Sequence, residues 1–229
     1  MSEPLVAVVG IALFVLALYG LRRLKQKDVA DAAGVLGLTI VAAAPTHKGT
    51  TAEGWPCHDT VVATGQLGGM RAELIARSIP NLLTPRKERV ASQFTLLRLS
   101  PSTPPAASLR LQPTGLSRAI EQLTHNAPTP LLTGDAAFDD AFHVYASDPD
   151  PALRLLTPEL RSPLVAFAAA SVPAGWKPAQ QLAAGLVLGS FDITTERITY
   201  SAFGSPTRKV AEHIAGVGPL LVALAGPQR

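Results

Sequence analysis

A charge-free apolar run opens the chain, and after about residue 28 short apolar stretches alternate with turn-forming ones. Pro4 to Leu21, within "PLVAVVGIALFVLALYGLRRLKQK", is eighteen residues without a charge. That is close to the roughly 20 that cross a hydrocarbon core of about 30 Å as a helix. A helix of that kind satisfies its own backbone, as lipid requires. Tyr19 and the basic run Arg22, Arg23, Lys25 and Lys27 suit an interfacial anchor at one end. A cleaved signal peptide would need basic residues before a shorter core and small residues after it. Here Glu3 is the charged side chain before the core, and the core runs into arginines. The pattern therefore predicts a retained anchor. Because positive charge stays cytoplasmic, it also predicts a short stub outside and the body in the cytoplasm.

Beyond the anchor, "KDVADAAGVLG" continues as helix to about Gly34 or Gly37, and "LTIVAAA" reads as a short buried strand. Residues 45–59, "PTHKGTTAEGWPCHD", carry turn formers without a period and read as a loop. "TVVATG" and "MRAELIARSI" flank Gly68 and Gly69 as a hairpin. "SQFTLLRLS" and "ASLRLQ" read as a strand pair around the tip "PSTPPA", which lacks a complete polyproline-ligand motif. "TGLSRAIEQLTH" has Leu116, Ile120 and Leu123 on one helical face. "AGLVLGSFDITTERITYSAF" reads as strand, turn and strand. The last helix has Ser205 as its expected N-cap and Pro206 as its first residue. Its apolar tail, Val210 to Leu224, is read as packed on the sheet and kinked at Pro219. Glu212, His213 and Pro219 are costly in a membrane span.

These elements predict an α+β fold: one N-terminal transmembrane helix, then a mostly antiparallel sheet with helices packed on one face. Residues 1–27 would be the anchor with its basic flank, and residues 28–229 a single cytoplasmic domain, long enough to bury a real core. Charge narrows the partners. The chain has 20 Lys+Arg and 17 Asp+Glu. Setting aside the four basic residues at the membrane and Glu3 leaves sixteen of each. The basicity belongs to the anchor, where it attracts anionic headgroups. "PRKER", residues 85–89, is too short for a basic face, so no nucleic acid is expected. Cys57 is the single cysteine, so no intramolecular disulfide and no cysteine-based zinc cluster can form, as suits a reducing compartment.

The segment "DAAFDDAFHVYASDPDPALRLLTPELR", residues 135–161, groups acids around His143 and Tyr145. Phe138 to Tyr145 reads as a strand with a polar entrance at Asp139 and Asp140; from Phe142 on, Phe142 and Val144 would face one side and His143 and Tyr145 the other. As a calcium loop, Asp148, Asp150 and Glu159 would fill positions one, three and twelve. Ala152 then stands at a ligand position and Leu153 where glycine is needed. Capping explains more residues. Asp150-Pro151 would open one short helix and Thr157-Pro158 another, with Glu159 at the positive end of its dipole and Pro163 kinking or restarting it. Phe138, Phe142, Val144, Tyr145, Asp148, Pro149, Leu155, Leu156, Thr157 and Pro158 form a block that resembles one in an uncharacterised bacterial family of membrane-anchored proteins. The resemblance covers about 27 residues. It implies a bacterial origin and that architecture, and it brings no catalytic residues. Pro151, Pro163 and the single N-terminal span depart from the family pattern.

Little else carries chemistry. In "WPCHD", Cys57 beside His58 and Asp59 could be an activated thiolate. Neighbours on a strand face opposite ways, so His143 or His213 would be the better base. "GQLGGM" lacks the lysine of a phosphate loop, and Ser117 in "GLSRA" lacks the second glycine of a nucleophile elbow. His47, His58, His125, His143 and His213 are scattered without ligand spacing. No catalytic, cofactor-binding or metal residue is assigned. The expectation is a membrane-tethered cytoplasmic scaffold or adaptor of a bacterial inner membrane. Its partners would be the lipid bilayer and either a protein partner or a second copy of itself. The alternative is a membrane-anchored hydrolase using Cys57 with a distant histidine. A small ligand bound between sheet and helices is a third possibility, and it would need a lined pocket.

Overall fold

The computed structural model describes residues 27–42, 46–51, 56–80, 91–114, 129–171 and 189–226. The expected span at 4–21, the helix expected from 115 on and the "PRKER" run lie outside these residues. Among the described residues no helix is long and apolar enough to cross a membrane.

The described chain is α+β, with an antiparallel sheet. Helix α1 (27–36) ends where the pattern expects. Gly37 takes φ 65°, Leu38 N–H donates to the Ala33 carbonyl and Gly37 N–H to that of Gly34. This paired closure satisfies carbonyls the helix leaves open and favours glycine. Strands β1 (Thr39–Ile40), β2 (Thr46–Thr50), β3 (Pro56–Leu67) and β4 (Met70–Pro80) follow. Next come β5 (Ala91–Ser100), β6 (Leu109–Pro113), α2 (Ala136–Ala141), β7 (Phe142–Ala146), α3 (Pro149–Leu155) and α4 (Pro158–Ser171). Strands β8 (Ser190–Ile193) and β9 (Ile198–Phe203) and helix α5 (Arg208–Ala225) complete the order. The nine strands run β1-β3-β4-β5-β9-β8-β6-β7, with β2 also paired to β3.

Several expectations need correction. Residues 46–50 and 56–59 are strand, because the turn formers of this stretch pair in register across β2 and β3. Among the described residues of the "LTIVAAA" run two are strand, both exposed, at the edge of the sheet. Strands β5 and β6 do not pair: the β8–β9 hairpin lies between them. Phe138 to Ala141 is helix, capped by Asp135, whose carboxylate accepts from Phe138 N–H at 3.2 Å. The helix after "YAS" starts one Asp-Pro earlier than expected, with Asp148 at the N-cap position and Pro149 first. The last helix is capped by Thr207, whose side chain accepts from Val210 N–H at 3.3 Å, and not by Ser205. Helix α4 does not restart at Pro163, which lies inside it; Pro219 lies inside α5, and both prolines are exposed.

The hairpin at Gly68 and Gly69 forms as expected: both glycines have positive φ, 56° and 78°. Paired positive values match the twist of the flanking strands. The main core sets Leu74, Leu97, Leu99, Phe191 and Tyr200 of the sheet against Leu164 of α4 and Ile214, Val217 and Leu221 of α5. Each such aliphatic side chain stabilises the fold by about 1.5–3 kcal/mol when fully buried. A separate cluster, Val61, Ile75 and Leu96 with Val41 and Phe94 against it, lies on the opposite face of the sheet. Among the described residues no helix contributes to it.

Candidate functional site

Alternation along β4 and β5 sorts the sheet into two faces. Ala72, Leu74, Leu97 and Leu99 enter the main core, while Arg71, Glu73, Ile75, Arg77, Leu96 and Arg98 project from the other side. A bulge between Val61 and Ala63 joins β3 to this pattern. It leaves Cys57, Asp59 and Val61 on the second face, and turns Ala63 into the core.

The second face carries an ion network. Asp59 and Arg77 are paired across β3 and β4, and Arg77 donates Nε to Asp59 Oδ1 at 2.7 Å and Nη2 to Oδ2 at 2.8 Å. This two-point geometry holds a carboxylate rigidly. Arg71 Nη2 reaches Glu73 Oε1 at 2.8 Å. Arg98 lies between the two carboxylates, with Nη1 3.5 Å from Glu73 Oε2 and Nη2 3.7 Å from Asp59 Oδ2. Its buried Nε has no hydrogen-bond partner. Burial holds the Arg98 guanidinium below the usual arginine range, and the nearby charge of Arg197 adds to this. Further along the sheet Arg110 Nε donates to Asp192 Oδ1 at 2.7 Å. Phe94 and Phe203 meet edge to face at 5.4 Å between centroids, on the paired ends of β5 and β9.

Cys57 belongs to this face. It is buried, and burial pushes its thiol up; the Arg77 charge opposes this, while the Asp59 charge and hydrogen bond reinforce it. These surroundings favour the thiol over the thiolate. His58 is exposed and faces the other way. His143 stands on β7, six strand spacings from β3, or roughly 29 Å along the sheet at ~4.8 Å per strand. His213 is on α5, across the sheet, where Nε2 lies 2.7 Å from Tyr200 Oη. The described residues therefore bring together Cys57, Asp59 and Arg77, and set His143 and His213 apart from them.

The acidic segment serves structure. Asp139 Oδ1 accepts from Thr133 N–H at 3.0 Å and from its hydroxyl at 2.8 Å, and Oδ2 accepts from Gly134 N–H at 3.2 Å. Arg161 Nε donates to the Leu156 carbonyl at 2.6 Å, fastening α4 to the end of α3. The Glu159 carboxyl is held below the usual range by its own backbone N–H and the Thr157 hydroxyl, an N-terminal cap in effect. Phe142 and Val144 are buried and His143 and Tyr145 half-buried, as alternation requires. Among the described residues no three His, Cys, Asp or Glu side chains are grouped to hold a metal ion.

Two features escaped sequence reasoning. The Arg–Asp–Glu network joins residues up to 39 positions apart, Asp59 and Arg98. Its visible signal was the alternation of Arg71, Glu73 and Arg77 with Ala72 and Leu74 in "MRAELIARSI". The other feature is the Tyr200–His213 pair, for which the sequence carries no local signal. No family model matches the chain, and no curated protein does. Among solved structures, it is similar to the mycobacterial trehalose monomycolate transport factor A, at 12% identity and a TM-score of 0.48, over 90% of this chain and 97% of that one.

Proposed function

We propose that the chain is a membrane-tethered scaffold or adaptor on the cytoplasmic side of a bacterial inner membrane, and that the charged sheet face meets its protein partners. The observation that carries this reading is the division of the sheet. One face is buried under helices, while the other carries the exposed Arg71 and the part-buried Asp59, Arg77, Arg98 and Phe94–Phe203 pair. Aromatic and arginine side chains are the types enriched where proteins meet. The apolar run from Pro4 to Leu21 and the basic residues after it support the tether and its orientation. The described side chains assemble no nucleophile–base pair around Cys57, which favours binding over catalysis.

Purification from membranes in mild detergent tests the role. The expected result is stable co-purification of another protein or of a second copy. Recovery of the chain alone and monomeric would overturn it. Alkaline carbonate washing of vesicles tests the tether: the chain should stay in the pellet.

A further inference from the structure

We propose that the partner surface is acidic: an extended segment carrying aspartate or glutamate docks across Arg71, Arg98 and Arg197, at the turn end of the charged sheet face. The proposal rests on the scaffold reading above and specifies its partner. Arg71 is paired with Ser100 across β4 and β5, and Arg98 with Glu73. Ile198 pairs with Leu99, so the register continued by one residue sets Arg197 beside Ser100, in line with Arg71. Arg71 and Arg197 then flank β5 at two strand spacings, about 10 Å, with Arg98 one step further in.

Charge is unbalanced here. Arg71, Arg77 and Arg98 contact two carboxylates, Glu73 and Asp59, while Arg197 adds a fourth positive charge near Arg98 and Asp192 also acts on Arg77. Each carboxylate is already engaged at 2.7–2.8 Å, by Arg71 and by Arg77. Arg98 is left with contacts of 3.5 and 3.7 Å and an Nε without an acceptor. Arg197 is exposed, and its positive charge acts on Arg98. Asp192 adds no surplus of negative charge, because Arg110 takes it up at 2.7 Å. A carboxylate brought between Arg98 and Arg197 would relieve that repulsion and give both guanidiniums a close acceptor. The spacing favours a chain over a single ion. Alternate residues of an extended segment lie about 6.8 Å apart on one side, so two acids can reach toward Arg71 and Arg197 together.

The test uses the full chain in zwitterionic detergent and a fluorescein-labelled hexapeptide of alternating aspartate and glutamate, with binding read by anisotropy. Saturable binding is expected, weakened about fivefold by Arg197→Glu and changed less than about twofold by Lys209→Glu, an equal charge reversal at an exposed site on α5. Three results would overturn the proposal: no saturable binding; equal weakening by both reversals; or displacement by free glutamate at the same carboxylate concentration that the unlabelled peptide needs. Co-purification separates this from the scaffold role. Partners retained undiminished by the Arg197→Glu chain would sink the arginine site and leave the scaffold standing. A chain that binds the peptide but recovers no partner would leave the site and sink the scaffold.

Discussion

The phenol of Tyr200 and the imidazole of His213 join the sheet to the last helix through a 2.7 Å contact between Tyr200 Oη and His213 Nε2. Gly189 N–H donates to the same phenolic oxygen at 2.8 Å. The phenol's own proton is therefore free to go to His213, which accepts it in the neutral tautomer that carries its proton on Nδ1. Burial holds His213 below its ordinary value of 6.5, in agreement with that role. Burial also raises Tyr200, so its proton stays in place.

The pH dependence follows with a definite sign. A histidine depressed in the folded state contributes fully above about 6.5, and that contribution shrinks as pH falls toward the folded value. Thermal unfolding should therefore shift to lower temperature between pH 7.5 and pH 5.5. His213→Gln keeps an acceptor for the phenol and should flatten that part of the profile. An unchanged slope in the variant would place the titration elsewhere.

Tyr200→Phe should destabilise the domain by about 1–3 kcal/mol, since it leaves the Gly189 N–H and the His213 nitrogen without a partner in a buried site. Tyr200 is fully buried, and its ring packs 4.8 Å from that of Phe191, so the phenylalanine fills the same space. Urea denaturation measures the loss. A midpoint equal to wild type would show that the hydroxyl contributes nothing.

How far the sequence could be read depended on how local each determinant is. The Gly68–Gly69 hairpin, the β8–β9 hairpin, the end of α1 and the two-sidedness of β7 each rest on residues a few positions apart, and all appear in the structure. Pairing of β5 with β9, 109 residues away at Phe94 and Phe203, has no local mark, so the Pro-rich connection looked like a hairpin tip. The bulge at Val61/Ala63 swaps which alternate residues face the core, and so hid the side of the sheet on which Cys57 and Asp59 project. Proline misled at helix starts. Any X-Pro with a capping residue fits the first turn, so sequence alone did not separate Asp148 from Asp150 or Thr207 from Ser205.

The Asp59–Arg77 pair is a natural double-mutant cycle. Both side chains are mostly buried, at 15% and 20% exposure, so removing one partner strands the other. Asp59→Asn should cost about 2–3 kcal/mol, because it also takes an acceptor from Arg98. Arg77→Met alone leaves Asp59 with the distant Arg98 and should cost a similar amount. The double variant should cost clearly less than the sum, with a coupling of about 1 kcal/mol or more. Additive losses would mean that the pair contributes little beyond packing.

Gly68 at the β3–β4 turn tests how the hairpin docks on α5. Its φ of 56° is strained for a residue with a side chain, and an added Cβ would lie 2.6 Å from Val222 Cγ2. Gly68→Ala therefore carries a backbone cost of about 1–2 kcal/mol together with a steric one. Val222→Ala in the same chain should recover the steric part and leave the backbone part. If Val222→Ala rescues nothing, the hairpin tip does not press against α5 in solution.

Cys57 offers a direct chemical readout of the face it occupies. Burial and the neighbouring Asp59 raise its thiol, against the opposing charge of Arg77, so the nucleophilic thiolate is scarce at pH 7.5. The native chain should react with iodoacetamide far more slowly than a free cysteine, and unfolding in guanidinium should restore the ordinary rate. Asp59→Asn removes the anion and leaves Arg77 beside the sulfur, so it should raise native reactivity even as it lowers stability. Labelling at short times, compared with the unfolded fraction under the same conditions, separates the two effects. Native reactivity as fast as that of the unfolded chain would contradict a buried thiol beside the Asp59–Arg77 pair.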